Sequence, residues 1–287
     1  MRFGLVIPTL NAGDSLKSLL VAINNANGIS WQRRLVVDSS STDATPHIAK
    51  DCGFEVVSIA RSEFDHGGTR QKAVDLMRPD VDVVVFLTQD VAVDNQDCFA
   101  RLAESFNAED VGLAYGRQIP HKNASMLAAL LREFNYPANS LKKTLNDKER
   151  LGLKTAFASD SFAAYRITAL DEVGGFPRGV ACSEDMYVAA KMLLQGYAVM
   201  YNAEAIVRHS HEFDLRSAWN RYRNVGAFHA REKWLGQTFG RAEGEGMKLL
   251  KMQLQRAMAM GGVTLAAKII FDDAIKFLAY RFGYSNG

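Results

Sequence analysis

Short apolar runs alternate with segments of helical periodicity along the first hundred residues. Phe3–Ile7, Leu35–Val37, Phe54–Ile59 and Val83–Leu87 have the length and β-branched content of strands. Between them Leu16, Leu19, Leu20 and Ile23 recur at i, i+3, i+4 and i+7, which predicts a helix over Asp14–Ala26. Ser41-Thr42-Asp43 offers N-caps for a helix running to about Lys50, and Gly67-Gly68-Thr69 opens another towards Met77. Asp94–Phe106 reads as a fourth helix. The alternation is that of βαβ units on a mainly parallel sheet, the α/β class.

The second half is less regular. His121–Lys154 is rich in Leu, Lys and Asn without a strand signal, and reads as a helical insertion over one side of the sheet. Ala156–Tyr165 is strand-like, Gly174-Gly175-Phe176-Pro177 is a turn, and Glu184–Gln195 is an amphipathic helix stopped by Gly196. Tyr197–Tyr201 and Ala205–Val207 are two further short strands. From Leu215 the pattern is helical, with Met247–Met260 and Thr264–Phe282 separated by Gly261-Gly262. The expected division is a catalytic unit over 1–215, with halves 1–120 and 121–215, followed by a helical region over 216–287.

Composition narrows the class without naming a chemistry. Of 287 residues, 48% are hydrophobic and 23% charged, which describes a globular chain and excludes a disordered one. Cys52, Cys98 and Cys182 form no CxxC pair, so neither a disulfide framework nor a structural zinc site is expected. A strand-like run begins almost at residue 1, so no signal peptide is expected, and no apolar run reaches membrane-spanning length. The net charge of +2 hides an asymmetry. Residues 1–215 carry 22 basic against 27 acidic side chains, whereas 216–287 carry 12 against 5. Such a basic tail suits an anionic partner surface, or is a solvated helix face.

Four groups of residues have chemistry to offer. Asp38 ends the second strand with Ser39, where a carboxylate can hydrogen-bond a base or ribose. Ser41 and Thr42, just beyond, read as helix caps. In Phe64-Asp65-His66-Gly67-Gly68-Thr69-Arg70 the paired glycines leave backbone N–H groups for an anion, and Arg70 is placed to clamp a phosphate. Asp90 closes the apolar run Val83–Leu87 and is the metal candidate, its structural alternative being an N-cap for the next helix. Glu184 and Asp185 open a helix, where the dipole favours acids, and one of them is a candidate general base. His209 and His211 alternate on an apparent strand and so share a face, either as ordinary polar residues or as metal ligands.

In this order the motifs resemble those of the family 2 inverting glycosyltransferases, and within them the bacterial rhamnosyltransferases. Pro8-Thr9-Leu10-Asn11 looks like the family's opening loop, and Val37–Asp43 like its nucleoside-contacting loop. Phe64–Arg70, Thr88-Gln89-Asp90, Gly174-Gly175-Phe176, Ser183-Glu184-Asp185 and Val207–Phe213 follow. Thr88 stands where the wider family has the first acid of its metal motif, and Ser39 where many relatives have a second acid. The Thr-Gln-Asp form is usual in rhamnosyltransferase-like sequences.

The resemblance implies a GT-A fold with a helical C-terminal extension and a divalent metal, Mg²⁺ or Mn²⁺, held by Asp90 and His209. It implies Asp185 as general base beside Glu184, and a donor site including Pro8, Thr9, Asn11, Asp38, Ser39, His66, Gly67, Arg70 and Gln89. The implied reaction is transfer of L-rhamnose from dTDP-L-rhamnose, with inversion, to a glycan or lipid-linked acceptor of cell-surface polysaccharide (O-antigen) synthesis. The implied working place is the cytoplasmic face of the inner membrane. There Arg216, Arg221, Arg223, Arg231, Lys233, Lys248 and Lys251, with Trp219, Trp234 and Phe239, would rest on anionic headgroups. Packing on the catalytic unit, or on a second copy in a homodimer, is the alternative for those helices. Rival functions are transfer from a UDP- or GDP-sugar and a non-catalytic sugar-nucleotide or glycan-binding module. Nucleic acid is not an expected partner, since the basic tail carries no known motif and the body is acidic.

Overall fold

In the computed structural model, which describes residues 1–260 and 262–287, all the strands join one sheet. These are β1 (Phe3–Thr9), β2 (Trp31–Asp38), β3 (Glu55–Ser58), β4 (Val83–Leu87), β5 (Val111–Ile119), β6 (Leu141–Lys143), β7 (Phe162–Arg166) and β8 (Ala198–Arg208). Their order is β3-β2-β1-β4-β7-β5-β8-β6. β1 pairs in parallel with both β2 and β4, whereas β7 runs antiparallel to β4 and β5. The helices are α1 (Gly13–Asn24), α2 (Thr45–Asp51), α3 (His66–Met77), α4 (Cys98–Glu104), α5 (Met126–Asn135) and α6 (Lys148–Leu151). They continue as α7 (Ile167–Glu172), α8 (Glu184–Leu194), α9 (Leu215–Arg231), α10 (Lys233–Phe239), α11 (Ala242–Met260) and α12 (Gly262–Asn286).

Alternation along the strands splits the core in two. Leu5 and Ile7 face a layer containing Leu16, Leu19 and Leu20 of α1 and Phe99 of α4. Val6 and Phe86 face α3 and α8 through Val74, Met77, Val188 and Met192. Every residue of β4 is buried, as expected for a strand covered on both faces. Removing the Phe86 ring would cost about 3–5 kcal/mol. The chain leaves β1 for β2 on one side and returns to β4 on the other. The carboxyl ends of β1, β2 and β4 therefore border the crevice where such sheets bind ligands.

Several sequence-based boundaries are corrected. β5 lies inside the sheet although its Gly112 and Gly116 dilute the apolar signal. A Cβ on Gly116 would stand 2.3 Å from the Phe162 ring, so that glycine lets neighbouring strands pack. The expected strand Ala156–Tyr165 reduces to β7, because a 3₁₀ turn occupies Gly152–Ala156. Tyr197–Tyr201 and Ala205–Val207 are one strand, β8, whose register against β5 shifts at Gly116/Arg117. The fourth helix starts at Cys98, not Asp94, and Asp94 instead pairs with Arg208 at 2.5 Å.

His121–Lys154 is not purely helical, since it contributes β6 as well as α5 and α6. Lys143 of β6 is buried and its ammonium donates to the Phe157 carbonyl at 2.5 Å, the Lys154 carbonyl at 3.1 Å and the Tyr115 hydroxyl at 3.2 Å. That fastens the turn leading to β7. Of the aromatics expected on a membrane, Phe239 is buried and Trp234 packs edge-on to Tyr187 of α8. The glycine break between the last two helices includes Gly261, which lies outside the described residues.

Candidate functional site

Two loops at the crevice are knitted together by short polar side chains. Asp38, at the end of β2, is buried and accepts from Thr9 Oγ1 at 3.2 Å, Ser41 N at 2.9 Å and Ser41 Oγ at 2.5 Å. Asn11 accepts from Thr42 N at 2.8 Å and donates its own N–H to Ser41 Oγ at 2.8 Å. Ser41 and Thr42 thus cap no helix; α2 starts at Thr45 without a side-chain cap. Gln89, two residues past β4, pairs both ways with Leu10, accepting its N–H at 2.8 Å and donating to its carbonyl at 3.2 Å. The only non-glycine residues with left-handed φ among the described residues are Asn11 (48°), Ser40 (59°) and Ser183 (67°). All three sit in loops of this site, where such strain is held by surrounding bonds.

These loops border a cavity of about 320 Å³. Pro8, Thr9, Ser39, His66, Arg70 and Gln89 line it; Asn11, Asp38 and Gly67 do not. Gly67 has a different reason to be glycine, because a Cβ there would lie 1.8 Å from the Pro177 carbonyl oxygen. Nor is the Gly68 N–H at the start of α3 open to an anion as the paired glycines suggested. Asp65 accepts from Gly68 N at 3.1 Å, and also from Gly179 N at 2.9 Å and Val180 N at 3.2 Å. It ties the Gly179–Val180 segment beyond the Gly-Gly-Phe-Pro turn to α3, while Gln71 of α3 accepts from Phe176 N of the turn itself at 3.0 Å.

Arg70 lines the cavity while buried between two carboxylates. Its Nε lies 2.7 Å from Asp160 Oδ2, and its Nη1 lies 2.9 Å from Glu184 Oε1. Asp160 was not expected from sequence. Its one signal is an acid interrupting the apolar run Ala156–Tyr165. Burial, aided by the charge of Glu184, raises the Asp160 carboxyl to about 6 in spite of Arg70. The Tyr165 hydroxyl donates to its other oxygen. His66 stands 3.8 Å from Glu184, and burial lowers its pKa.

Adjacent positions on α8 point differently, as helical geometry requires. Glu184 turns to Arg70, whereas Asp185 accepts from the Asp160 N–H at 3.3 Å. Burial and the nearby charges of Glu184 and Asp160 raise the Asp185 pKa well above the usual carboxylate range. The next residue, Met186, lines a second and largely apolar cavity of about 530 Å³ bounded by α5, α9, α11 and α12. Asp185 lines neither cavity itself; Glu184 before it holds Arg70 of the first cavity wall, and Met186 after it lines the second. A carboxylate so placed can accept a proton from an incoming hydroxyl.

On the opposite side of the crevice, Asp90, His209 and His211 present ligand atoms within 4.8 Å of one another. Asp90 caps no helix, since the next one starts at Cys98. β8 ends at Arg208, so both histidines lie just beyond the strand, yet both face Asp90 Oδ2. The distances are 3.3 Å from His209 Nε2 and 3.6 Å from His211 Nδ1. His209 is buried and its Nε2 has no hydrogen-bond partner among the described residues. A buried orphan nitrogen beside an ionised carboxylate is the donor set of a cation site, and the residues fit a divalent metal.

An α/β sheet that gathers a cation cluster and a separate, protonatable carboxylate around one crevice is suited to transfer from an anionic donor. The comparisons make that class specific. Residues 5–174 match the model of glycosyl transferase family 2, and the chain belongs to that family. It is 40% identical over 284 residues to the O-antigen chain rhamnosyltransferase RfbN of Salmonella typhimurium, covering 99% of this chain and 90% of that one. It is 39% identical to the O-antigen chain rhamnosyltransferase WbaN of Salmonella anatum, covering 98% and 89%. The fold is GT-A. It is similar, at TM-score 0.63 and 17% identity, to the mannosyltransferase PcManGT from Pyrobaculum calidifontis in complex with GDP-Man and Mn²⁺, covering 99% and 83% of the two chains. Similarity to S. aureus TarS 1–349 in complex with UDP-GlcNAc has a TM-score of 0.57 at 14% identity, covering 99% and 91%.

Proposed function

We propose that the protein is an inverting, metal-dependent rhamnosyltransferase of O-antigen synthesis that uses dTDP-L-rhamnose as donor. The observation that carries this reading is Asp185 on α8, flanked by Glu184, which holds the cavity-lining Arg70, and by Met186, which lines the apolar cavity, in a chain 40% identical to an O-antigen rhamnosyltransferase. The polar cavity at the ends of β1, β2 and β4 takes the nucleoside diphosphate sugar. Asp90 and His209, with His211 beside them, hold the divalent cation, which when bound offsets diphosphate charge as the donor bond breaks. Asp185 accepts the proton of the acceptor hydroxyl, and its raised pKa suits it to that task. Glu184 and Asp160 keep Arg70 in place at the cavity wall.

The acceptor enters from the apolar side. Phe134, Phe157, Met186, Leu250 and Phe277 line a cavity suited to the hydrocarbon of a lipid-linked glycan. No described helix is long and apolar enough to cross a membrane. On α12, however, Phe271, Leu278 and Phe282 are exposed at i, i+7 and i+11, one stripe of the helix. Exposed Arg216, Arg223, Lys248 and Lys251 on α9 and α11 add positive charge. These features support peripheral binding of residues 216–287 to an anionic membrane face. The test is incubation with dTDP-L-rhamnose, Mg²⁺ and a lipid-linked acceptor. Release of dTDP together with a glycosylated lipid supports the reading; donor binding without turnover under any metal would reduce the protein to a binding module.

A further inference from the structure

We infer that Gln118 of β5, held by Arg132 of α5, is the positioning residue that sets the tautomer of His209 and turns its Nε2 lone pair towards Asp90. The inference rests on the reading of Asp90 and His209 as cation ligands and adds two residues that neither the motifs nor the comparisons assign.

The geometry is a chain of single-purpose hydrogen bonds. Gln118 is buried, with one side-chain polar atom facing Ser159 Oγ at 2.9 Å and the other facing two nitrogens. Those nitrogens are Arg132 Nη1 at 2.6 Å and His209 Nδ1 at 2.8 Å. A guanidinium can only donate, so the amide atom facing Arg132 must be the oxygen. The same oxygen faces His209, so Nδ1 must carry a proton and donate it. In the neutral ring that leaves Nε2 with its lone pair, 3.3 Å from Asp90 Oδ2 and without a hydrogen-bond donor. Two acceptors facing each other at that distance repel unless a cation lies between them. Outer partners of this kind fix the ring and tautomer of a metal-binding histidine.

Arg132 gives the insertion a task. Its helix, α5, follows β5 directly and is tied to α11 by Glu133–Arg256 at 2.7 Å. The helical region is thereby connected through two side chains to the ligand cluster. The register of β5 against β8 sets Gln118 beside Val207, and the His209 N–H donates to the Ile119 carbonyl at 2.9 Å. The backbone already holds the imidazole near the amide that orients it.

Two measurements separate this from a purely structural role. The first is Mn²⁺ affinity, read by the EPR signal of free Mn²⁺, for wild type, Gln118→Glu, Gln118→Leu and Arg132→Met. Gln118→Glu keeps an acceptor for both partners and is expected to bind Mn²⁺ like wild type. Gln118→Leu is expected to lose about 10–100-fold in affinity while its thermal melt stays cooperative. Arg132→Met frees the amide to flip and falls between them; it serves in place of Gln118→Leu if that variant does not fold. A folded Gln118→Leu or Arg132→Met protein that binds Mn²⁺ as tightly as wild type overturns the inference. The second is the ¹⁵N imidazole NMR spectrum of His209 in metal-free protein, which reads the tautomer whether or not metal binds. Protonation at Nδ1 with an unprotonated Nε2 supports the inference, and a proton on Nε2 overturns it. Absence of Mn²⁺ binding by wild type, with the Nδ1–H tautomer intact, counts against the cation reading alone.

Discussion

Arg70 Nε lies 2.7 Å from Asp160 Oδ2 although Arg70 belongs to α3 and Asp160 to the turn before β7, ninety positions further on. Both are buried, and Glu184 supplies the second carboxylate on the same guanidinium. A buried pair of this kind is costly to break on one side only, by about 3–5 kcal/mol. It also gives the cavity wall a titratable component with a defined sign.

The folded Asp160 carboxyl, at about 6, sits above its ordinary value. The native state therefore retains a proton that the unfolded chain releases between roughly pH 4 and 6. Stability contributed by Asp160 is present at the low end of that window and is lost as pH rises through it, by at most roughly 3 kcal/mol. Asp160→Asn removes this titration. Urea unfolding from pH 4 to 7 should show the variant gaining on wild type as pH rises. A difference that stays constant over the range would contradict the assignment.

Asp185→Asn removes the proton acceptor while leaving the donor cavity untouched. The expected loss in turnover is about 10²–10⁴-fold. Donor affinity by titration calorimetry should not change. Normal turnover would move the base elsewhere, and lost donor affinity would make the residue a binding group.

Chelation by EDTA should stop sugar transfer, and added Mg²⁺ or Mn²⁺ should restore it. Asp90→Asn and His209→Ala should each raise the metal concentration for half-maximal rate by at least the roughly 10–100-fold that loss of an outer partner costs. Full activity in EDTA would show that the cluster is not a cation site.

The apolar stripe of α12 leads to a separate expectation. Wild type should float with vesicles containing anionic phospholipid, and less so as salt rises. Replacing Phe271, Leu278 and Phe282 together by Ser should reduce flotation without changing dTDP release to a soluble acceptor. Vesicle binding that persists in the triple variant would place the contact elsewhere.

The sequence carried much of this site because strand ends and loop motifs are local features. Val83–Leu87 is apolar throughout, so β4 and the position of Asp90 at its end could be read directly. His209 and His211 were read as sharing a strand face, whereas the loop after β8 brings them to Asp90. What remained hidden depends on tertiary pairing. β5 was missed because Gly112 and Gly116 weaken its pattern, and with it went Gln118. Asp160 lies within the strand-like run Ala156–Tyr165 and Arg132 within the insertion, and neither was singled out. Asp160 is buried beside Arg70, far back along the chain, and Arg132 is half-buried and bonded to Gln118 of the preceding strand. Gly67 is the reverse case, where a motif suggested anion binding but a close approach to Pro177 explains the residue.

The crevice between β1, β2 and β4 is the proposed seat of rhamnosyl transfer. Nucleoside diphosphate release, measured across dTDP-L-rhamnose, UDP-sugars and GDP-sugars with a lipid-linked acceptor, tests it most directly. Release from dTDP-L-rhamnose alone, dependent on Mg²⁺ or Mn²⁺ and lost in Asp185→Asn, is the predicted result. Release from a UDP- or GDP-sugar, with none from dTDP-L-rhamnose, would contradict it.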